Sequence, residues 1–176
     1  MRSFIAIPLP EEFLEGTVAV QQGLAPVMNG RFTPRENLHL TLAFLGDIDE
    51  HETRAAMDAM DAAVETAGEV RLAPASLGSF DRKKDSMFWL GLDKDPGLMA
   101  LQVRLVEELA TRGVPFEKRA YLPHVTLARR ASMRSGELKG LAFPLPQVAE
   151  QVTLFRSELT PDGARYKEAY SVQLGT

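Results

Sequence analysis

The chain has 176 residues, 45% of them hydrophobic and 25% charged, which is the composition of a globular protein that needs no disulfides. It contains no cysteine, which excludes thiolate catalysis, zinc ribbons and iron–sulfur clusters, and no apolar run approaches the roughly 20 residues that cross a bilayer. The net charge of −4 argues against a protein that coats nucleic acid, but an excess of basic residues over 112–139 predicts a local anion site. We expect a cytoplasmic protein with no obligate protein partner.

The first half of the chain alternates between extended segments and helices. Strands are predicted at 2–9, 31–33 and 38–45, and helices at 11–24 and 50–67. Asp49 and Glu52 have the spacing of a capping box, which marks the start of the second helix.

The second half contains one helix among several strands. Strands are predicted at 70–77, 87–92, 122–128, 147–157 and 165–174, with turns at 81–85 and 161–163. Asp95 and Pro96 are suited to begin a helix that Gly113 ends. Adjacent strands joined by turns favour an α+β fold with antiparallel sheets over an alternating parallel fold.

One short motif occurs twice. The segment His-Leu-Thr-Leu-Ala at 39–43 recurs as His-Val-Thr-Leu-Ala at 124–128, which predicts two similar lobes. In a regular strand the His, Thr and Ala of each copy share one face, and the intervening residues, with Phe44 after the first copy, share the other. If the lobes face each other, two imidazoles and two hydroxyls line one cleft.

Two opposed imidazoles suit phosphodiester chemistry. One can take a proton from the attacking hydroxyl while the other gives a proton to the leaving oxygen, and no metal or cofactor is required. A single inward-facing histidine is more often structural, but the repetition of the motif favours a functional role. His51 stands among acidic residues and is interpreted as a solvated surface residue.

Four segments together carry a family resemblance: 2–8 (RSFIAIP), 31–46 (RFTPRENLHLTLAFLG), 123–129 (PHVTLAR) and 157–166. With these segments the chain resembles the two-histidine phosphoesterase superfamily, and within it the bacterial and archaeal RNA 2′,3′-cyclic phosphodiesterases, also called 2′-5′ RNA ligases. The resemblance implies a single bilobal α+β domain over 1–176, with two antiparallel sheets around a central cleft and helices outside.

The resemblance also implies the roles of the repeated residues. His39 and His124 are catalytic, and Thr41 and Thr126 contact phosphate oxygens. The implied substrate is an RNA end with a 2′,3′-cyclic phosphate, from which O3′ leaves and a 2′-phosphate remains. We assign His39 as the acid and His124 as the base, a choice that the similarity of the two motifs does not decide.

Further binding residues follow from the same resemblance. The family's basic residue five positions after the second histidine is Arg129 here. A regular strand points Arg129 away from the face of His124, so Arg129 needs a bulge or a strand end to direct it to phosphate, and Arg130 is its rival. Phe32 is a candidate to stack on a nucleobase or to pack in the core, and Tyr166 to line the cleft or to pack within a strand.

Other function classes fit less well. A zinc hydrolase needs three protein ligands, which the three histidines supply only with His51, and no H-E-x-x-H is present. A nucleotide-dependent ligase or kinase needs a phosphate loop that the sequence lacks. A non-catalytic RNA-binding module would use the basic stretch and Phe32 but would not need two identical motifs. Two alternatives stay open for the substrate, another cyclic phosphate or a 2′-5′ linkage. The direction of the reaction is also open, because the same two imidazoles could join a 2′-5′ bond.

Overall fold

The computed structural model describes residues 2–80, 86–134 and 140–175, so the predicted turn at 81–85 and the end of the basic stretch at 135–139 lie outside the described residues. The helices are α1 (Glu11–Leu24), α2 (Glu50–Glu65) and α3 (Pro96–Thr111), with a short 3₁₀ turn at Arg35–Asn37. The strands are β1 (Arg2–Pro8), β2 (Met28–Phe32), β3 (His39–Asp47), β4 (Arg71–Leu72), β5 (Pro74–Phe80), β6 (Met87–Leu92), β7 (His124–Met133), β8 (Gln147–Val148), β9 (Gln151–Thr160) and β10 (Gly163–Gln173).

The helices begin where their caps predict. The Asp49 side chain accepts the Glu52 backbone N–H and the Glu52 side chain accepts the Asp49 N–H, which completes the capping box of α2. The Asp95 side chain accepts the Leu98 N–H at the start of α3, and Gly113 follows the end of that helix with a φ of 72°. These local hydrogen bonds satisfy backbone groups that the helices leave unpaired.

Two four-stranded antiparallel sheets form the body of the protein, which confirms the α+β prediction. The His39 sheet has the order β10-β9-β1-β3 and the His124 sheet the order β2-β7-β6-β5. The predicted β5–β6 and β9–β10 pairs are present.

Two predicted strands are interrupted. The strand predicted at 70–77 is divided into β4 and β5, and the one predicted at 147–157 into β8 and β9. The reason is that β4 and β8 pair with each other in a small separate sheet. The second histidine strand, in contrast, is longer than predicted, because its far end pairs with β2.

The core lies between the sheets and the helices. Alternate residues of the central strands contribute to it, including Ile5 and Ile7 of β1 and Leu90 of β6, which are fully buried. The helical spacing of leucines in α3 is confirmed, since Leu98, Leu101, Leu105 and Leu109 are all buried. Burial of one such side chain contributes about 1.5–3 kcal/mol, so α3 is held mainly by its apolar face. No described helix is long and apolar enough to span a membrane.

Candidate active site

The two repeated histidines occupy equivalent positions at the first residues of β3 and β7. His39 Nδ1 lies 2.7 Å from the carbonyl oxygen of Asn37, and His124 Nδ1 lies 2.7 Å from that of Leu122. A carbonyl can only accept, so Nδ1 carries the proton in each neutral ring and Nε2 is the lone-pair nitrogen. The Thr41 hydroxyl, 2.8 Å away, donates to His39 Nε2.

A β-bulge interrupts β3 just after its threonine. The consecutive residues Ala6 and Ile5 of β1 pair with Thr41 and Ala43, so Leu42 is an extra residue in β3. Leu42 and Ala43 are consequently both buried. The expectation that Ala43 shares the histidine face is therefore wrong, because the bulge changes the strand's alternation at that point.

The second histidine strand contains the same bulge. Thr126 and Ala128 pair with consecutive residues of β6, and Leu127 is the extra residue. Leu127 and Ala128 are both fully buried, so Ala128 also lies off the histidine face, contrary to expectation. The sequence repeat is thus matched by a repeated backbone irregularity.

The bulges bring the fifth residue after each histidine to the cleft. Alternation predicts that Phe44 shares the core face, but Phe44 is 47% exposed because the extra residue reverses its side. The same shift supplies the bulge that Arg129 requires to share the face of His124. Phe44 and Arg129 are equivalent in the two sheets, and sequence reasoning missed Phe44 as a cleft residue.

Besides burial, the positive charge of Arg129 lowers the pKa of both histidines. Burial lowers the pKa of His39 to about 4, and the charges of Arg129 and His124 also lower it, against the hydrogen bond to the Asn37 carbonyl, which raises it. Burial also lowers the pKa of His124, and the charges of Arg119 and Arg129 add to the effect. The two imidazoles and Arg129 are therefore close enough to interact, and both rings are neutral near pH 7 without a ligand.

Arg130 is exposed at a second irregularity, where β7 pairs with β2. Its φ of 51° is in the left-handed region, which is uncommon for a residue with a Cβ. Arg130 follows Arg129 directly in the chain, but the pKa values of His39 and His124 respond to the charge of Arg129. This favours Arg129 as the phosphate ligand of the two.

Aromatic rings surround His39. The Phe4 ring centroid lies 4.8 Å from that of His39, and the Tyr166 ring stands edge-on at 5.4 Å. Phe155 completes the group at 6.5 Å. Tyr166 is half-buried; burial raises its pKa, and the charge of Arg129 opposes this rise, which favours the cleft over the core as the place of its phenol. Phe4 and Phe155 gave no sequence signal, because β1, β9 and β10 bring these rings together only when they pair.

His124 has aromatic neighbours of its own. Phe80 stands edge-on at 5.5 Å between ring centroids, and Trp89 lies at 6.0 Å. Gly78, opposite Trp89, permits this arrangement, since a Cβ there would lie 2.3 Å from the indole ring. Each imidazole is thus partly shielded from water by rings from its own sheet.

The other residues considered in the sequence analysis differ in burial. Phe32 pairs with the buried Ala128 and packs against the hydrophobic core, which favours packing over base stacking. Thr126 is half-buried two residues after His124, on the same face. His51 is exposed at the start of α2, as expected. Within 2–80, 86–134 and 140–175, no three His, Asp or Glu side chains are grouped as a metal site.

Comparisons with known proteins agree with one another. The family model of the 2′-5′ RNA ligase superfamily matches residues 22–162. An RNA 2′,3′-cyclic phosphodiesterase of Thermotoga maritima is 30% identical, with 98% of this chain and 95% of that protein covered. One from Escherichia coli K12 is 31% identical, with 94% and 92% covered. The crystal structure of E. coli LigT complexed with 3′-AMP matches with a TM-score of 0.82 at 28% identity, covering 99% of this chain and 98% of that one.

Proposed function

Because the chain belongs to the 2′-5′ RNA ligase superfamily, we propose that it is an RNA 2′,3′-cyclic phosphodiesterase that opens the cyclic end to a 2′-phosphate without a metal ion. The observation that carries the proposal is the pair of equivalent imidazoles. Each is fixed through Nδ1 to a backbone carbonyl 2.7 Å away, and both interact with Arg129. The names of the relatives with 30% and 31% identity support the same activity.

In the proposed reaction, water attacks phosphorus opposite O3′. His124 Nε2 takes the proton of the water as the P–O bond forms, and His39 Nε2 gives a proton to O3′ as the P–O3′ bond breaks. The fixed Nδ1 hydrogen bonds hold both rings in the tautomer that presents Nε2. The protons return through solvent after the product leaves.

Binding of the substrate phosphate converts His39 into the protonated form that can act as the acid. His39 has a pKa of about 4 in the free protein, so it is neutral at pH 7. A phosphate anion in the cleft favours the protonated ring and also neutralises the charge of Arg129, so the pKa of His39 rises on binding. The Thr41 hydroxyl, 2.8 Å from Nε2 in the free protein, then donates to a phosphate oxygen instead, and the new N–H is directed to O3′.

In this proposal, the remaining cleft residues stabilise the negative charge on the non-bridging phosphate oxygens. We propose that Thr41, Thr126 and Arg129 hold the non-bridging phosphate oxygens, with Arg129 neutralising the charge that develops. Tyr166 stands beside His39 and limits the pose of the ribose. The aromatic rings around each imidazole keep water from competing for these hydrogen bonds.

The test is the product formed from a short RNA that ends in a 2′,3′-cyclic phosphate. We expect a 2′-phosphate as the product, with equal rates with and without EDTA. His39→Ala and His124→Ala should each lower kcat about 10²–10⁴-fold. The loss of kcat in the double variant should be much smaller than the product of the two single losses, because the two groups act together. His51→Ala, exposed on α2, is the control. A mixture of 2′- and 3′-phosphates, or loss of activity in EDTA that a divalent ion restores, would contradict the proposal.

The roles of the two histidines need a separate measurement. A substrate with an activated leaving group in place of O3′ needs little protonation. It should therefore restore activity to His39→Ala and not to His124→Ala. Rescue of His124→Ala instead would exchange the roles of acid and base and leave the overall reaction intact.

A further inference from the structure

Two arginines face each other across the β2–β7 pair. Arg31 of β2 pairs with Arg129 of β7, and the neighbouring pair is Phe32 with Ala128. Phe32 and Ala128 both pack inward. Because successive residues of a strand point to opposite faces, Arg31 and Arg129 both lie on the cleft face.

This juxtaposition is unfavourable without a ligand. Directly opposed residues of an antiparallel pair have Cβ atoms about 4.5–5.5 Å apart, and like charges there destabilise the pair. In the described part of the chain, no carboxylate forms an ion pair with either guanidinium. Several other arginines do have such partners, among them Arg35 with Glu11 and Arg104 with Glu108. Two opposed guanidinium groups on the cleft face, with no carboxylate partner among the described residues, favour the binding of an anion beside them.

The two arginines lie on neighbouring strands, at different distances from His124. Arg129 is on β7 with His124, and its charge acts on both imidazoles. Arg31 is on β2, the edge strand of the His124 sheet, one strand spacing (about 4.8 Å) farther out. A substrate whose terminal phosphate lies between the imidazoles and whose chain runs across the β2 edge would bring its next phosphate to Arg31.

We propose that Arg31 binds a second phosphate of the substrate, the phosphodiester that joins the terminal nucleotide to its 5′ neighbour. The inference rests on the proposed function and narrows the substrate class to oligonucleotides over cyclic mononucleotides. A phosphate contact carries no base information, so the preference is for chain length and not for sequence.

Three substrates isolate this contact. They are a nucleoside 2′,3′-cyclic phosphate, a dinucleotide with the same cyclic end, and that dinucleotide with a neutral methylphosphonate linkage. At low ionic strength, we expect the wild-type kcat/KM to be about fivefold higher for the phosphodiester than for the methylphosphonate dinucleotide, as for an exposed ion pair. Arg31→Ala should abolish this ratio and reduce the slope of log kcat/KM against log salt by about 0.7.

Two variants serve as controls. Arg31→Lys retains the charge and should retain part of the ratio. Arg54→Ala removes a positive charge from α2, where Arg54 pairs with Glu50, and should leave the ratio as in the wild type.

The inference is overturned if the wild type does not distinguish the two dinucleotides, or if Arg31→Ala lowers kcat/KM equally for all three substrates. The second result would mean that Arg31 acts on the cyclic phosphate or on the fold. A wild type that hydrolyses none of the three would refute the proposed function, and this inference with it.

Discussion

The pKa of His39 is set by the residues that surround its ring. Burial among aromatic rings gives His39 a pKa of about 4, against about 6.5 in an unfolded chain. Between these two values the unfolded chain binds a proton that the native protein does not. The free energy of unfolding therefore rises with pH in this window and falls as the pH is lowered through it.

This dependence can be measured by urea unfolding at pH 7 and pH 5. His39 should account for about 2 kcal/mol of the stability that the wild type loses between these values, because protonation of the buried ring opposes folding. His39→Gln should lose correspondingly less, and the exposed His51→Gln should behave as the wild type does. Equal losses in the wild type and His39→Gln would show that His39 titrates normally in the folded protein.

The histidines could be found from the sequence, whereas most of their neighbours could not. The repeated motif identifies His39 and His124, since a coincidence of residue type and spacing is a local signal. The Phe4 and Phe155 rings reach His39 from β1 and β9, strands distant in the chain, and their contact depends on the register of the sheet. Arg31 likewise becomes notable only through its partner on β7.

At the level of elements, the starts of helices α2 and α3 can be predicted from the local sequence, but the bulges of the two histidine strands cannot. The caps of α2 and α3 are hydrogen bonds within one turn, which a sequence can reveal. A bulge is a relation between two strands, so alternation alone put Phe44 on the core face. The resemblance to a known family nevertheless required either a bulge or a strand end to direct Arg129, and the pairing of β6 with β7 contains the bulge.

The bulge predicts which of two adjacent arginines matters. Arg129→Ala should lower kcat/KM about 10²-fold, because a charge-assisted contact to the phosphate is lost, while Arg130→Ala should have little effect. Arg129→Lys should restore only part of the activity, since an ammonium cannot make the paired hydrogen bonds of a guanidinium. Steady-state kinetics on the cyclic-phosphate RNA decide the matter. A silent Arg129→Ala with a crippling Arg130→Ala would mean that the bulge does not direct the ligand.

At the level of the whole molecule, the proposed mechanism requires a fixed distance between the two sheets. The Tyr121 hydroxyl donates to the Thr41 backbone carbonyl at 2.8 Å, so the segment before His124 is tied to the strand of His39. Burial raises the pKa of Tyr121, so its phenol stays a donor throughout the working pH range. Thr33 adds a second tie, because its hydroxyl donates to the Thr126 carbonyl at 2.9 Å. Each bond joins the segment that precedes one histidine to the strand of the other histidine.

Tyr121→Phe should therefore affect catalysis more than stability. Loss of one hydrogen bond costs about 1 kcal/mol of unfolding free energy. The spacing of the imidazoles also loosens, and a misaligned acid and base lower kcat with little change in KM. The control is Tyr170→Phe, which also removes one tyrosine hydroxyl, here from an exposed 2.7 Å hydrogen bond to Asp61 between β10 and α2. Because its hydrogen bond is exposed, Tyr170→Phe should lose less stability in urea unfolding than Tyr121→Phe, and only Tyr121→Phe should lower kcat. If both variants kept the wild-type kcat, the Tyr121 bond would be structural and the position of the two sheets would be set by packing alone.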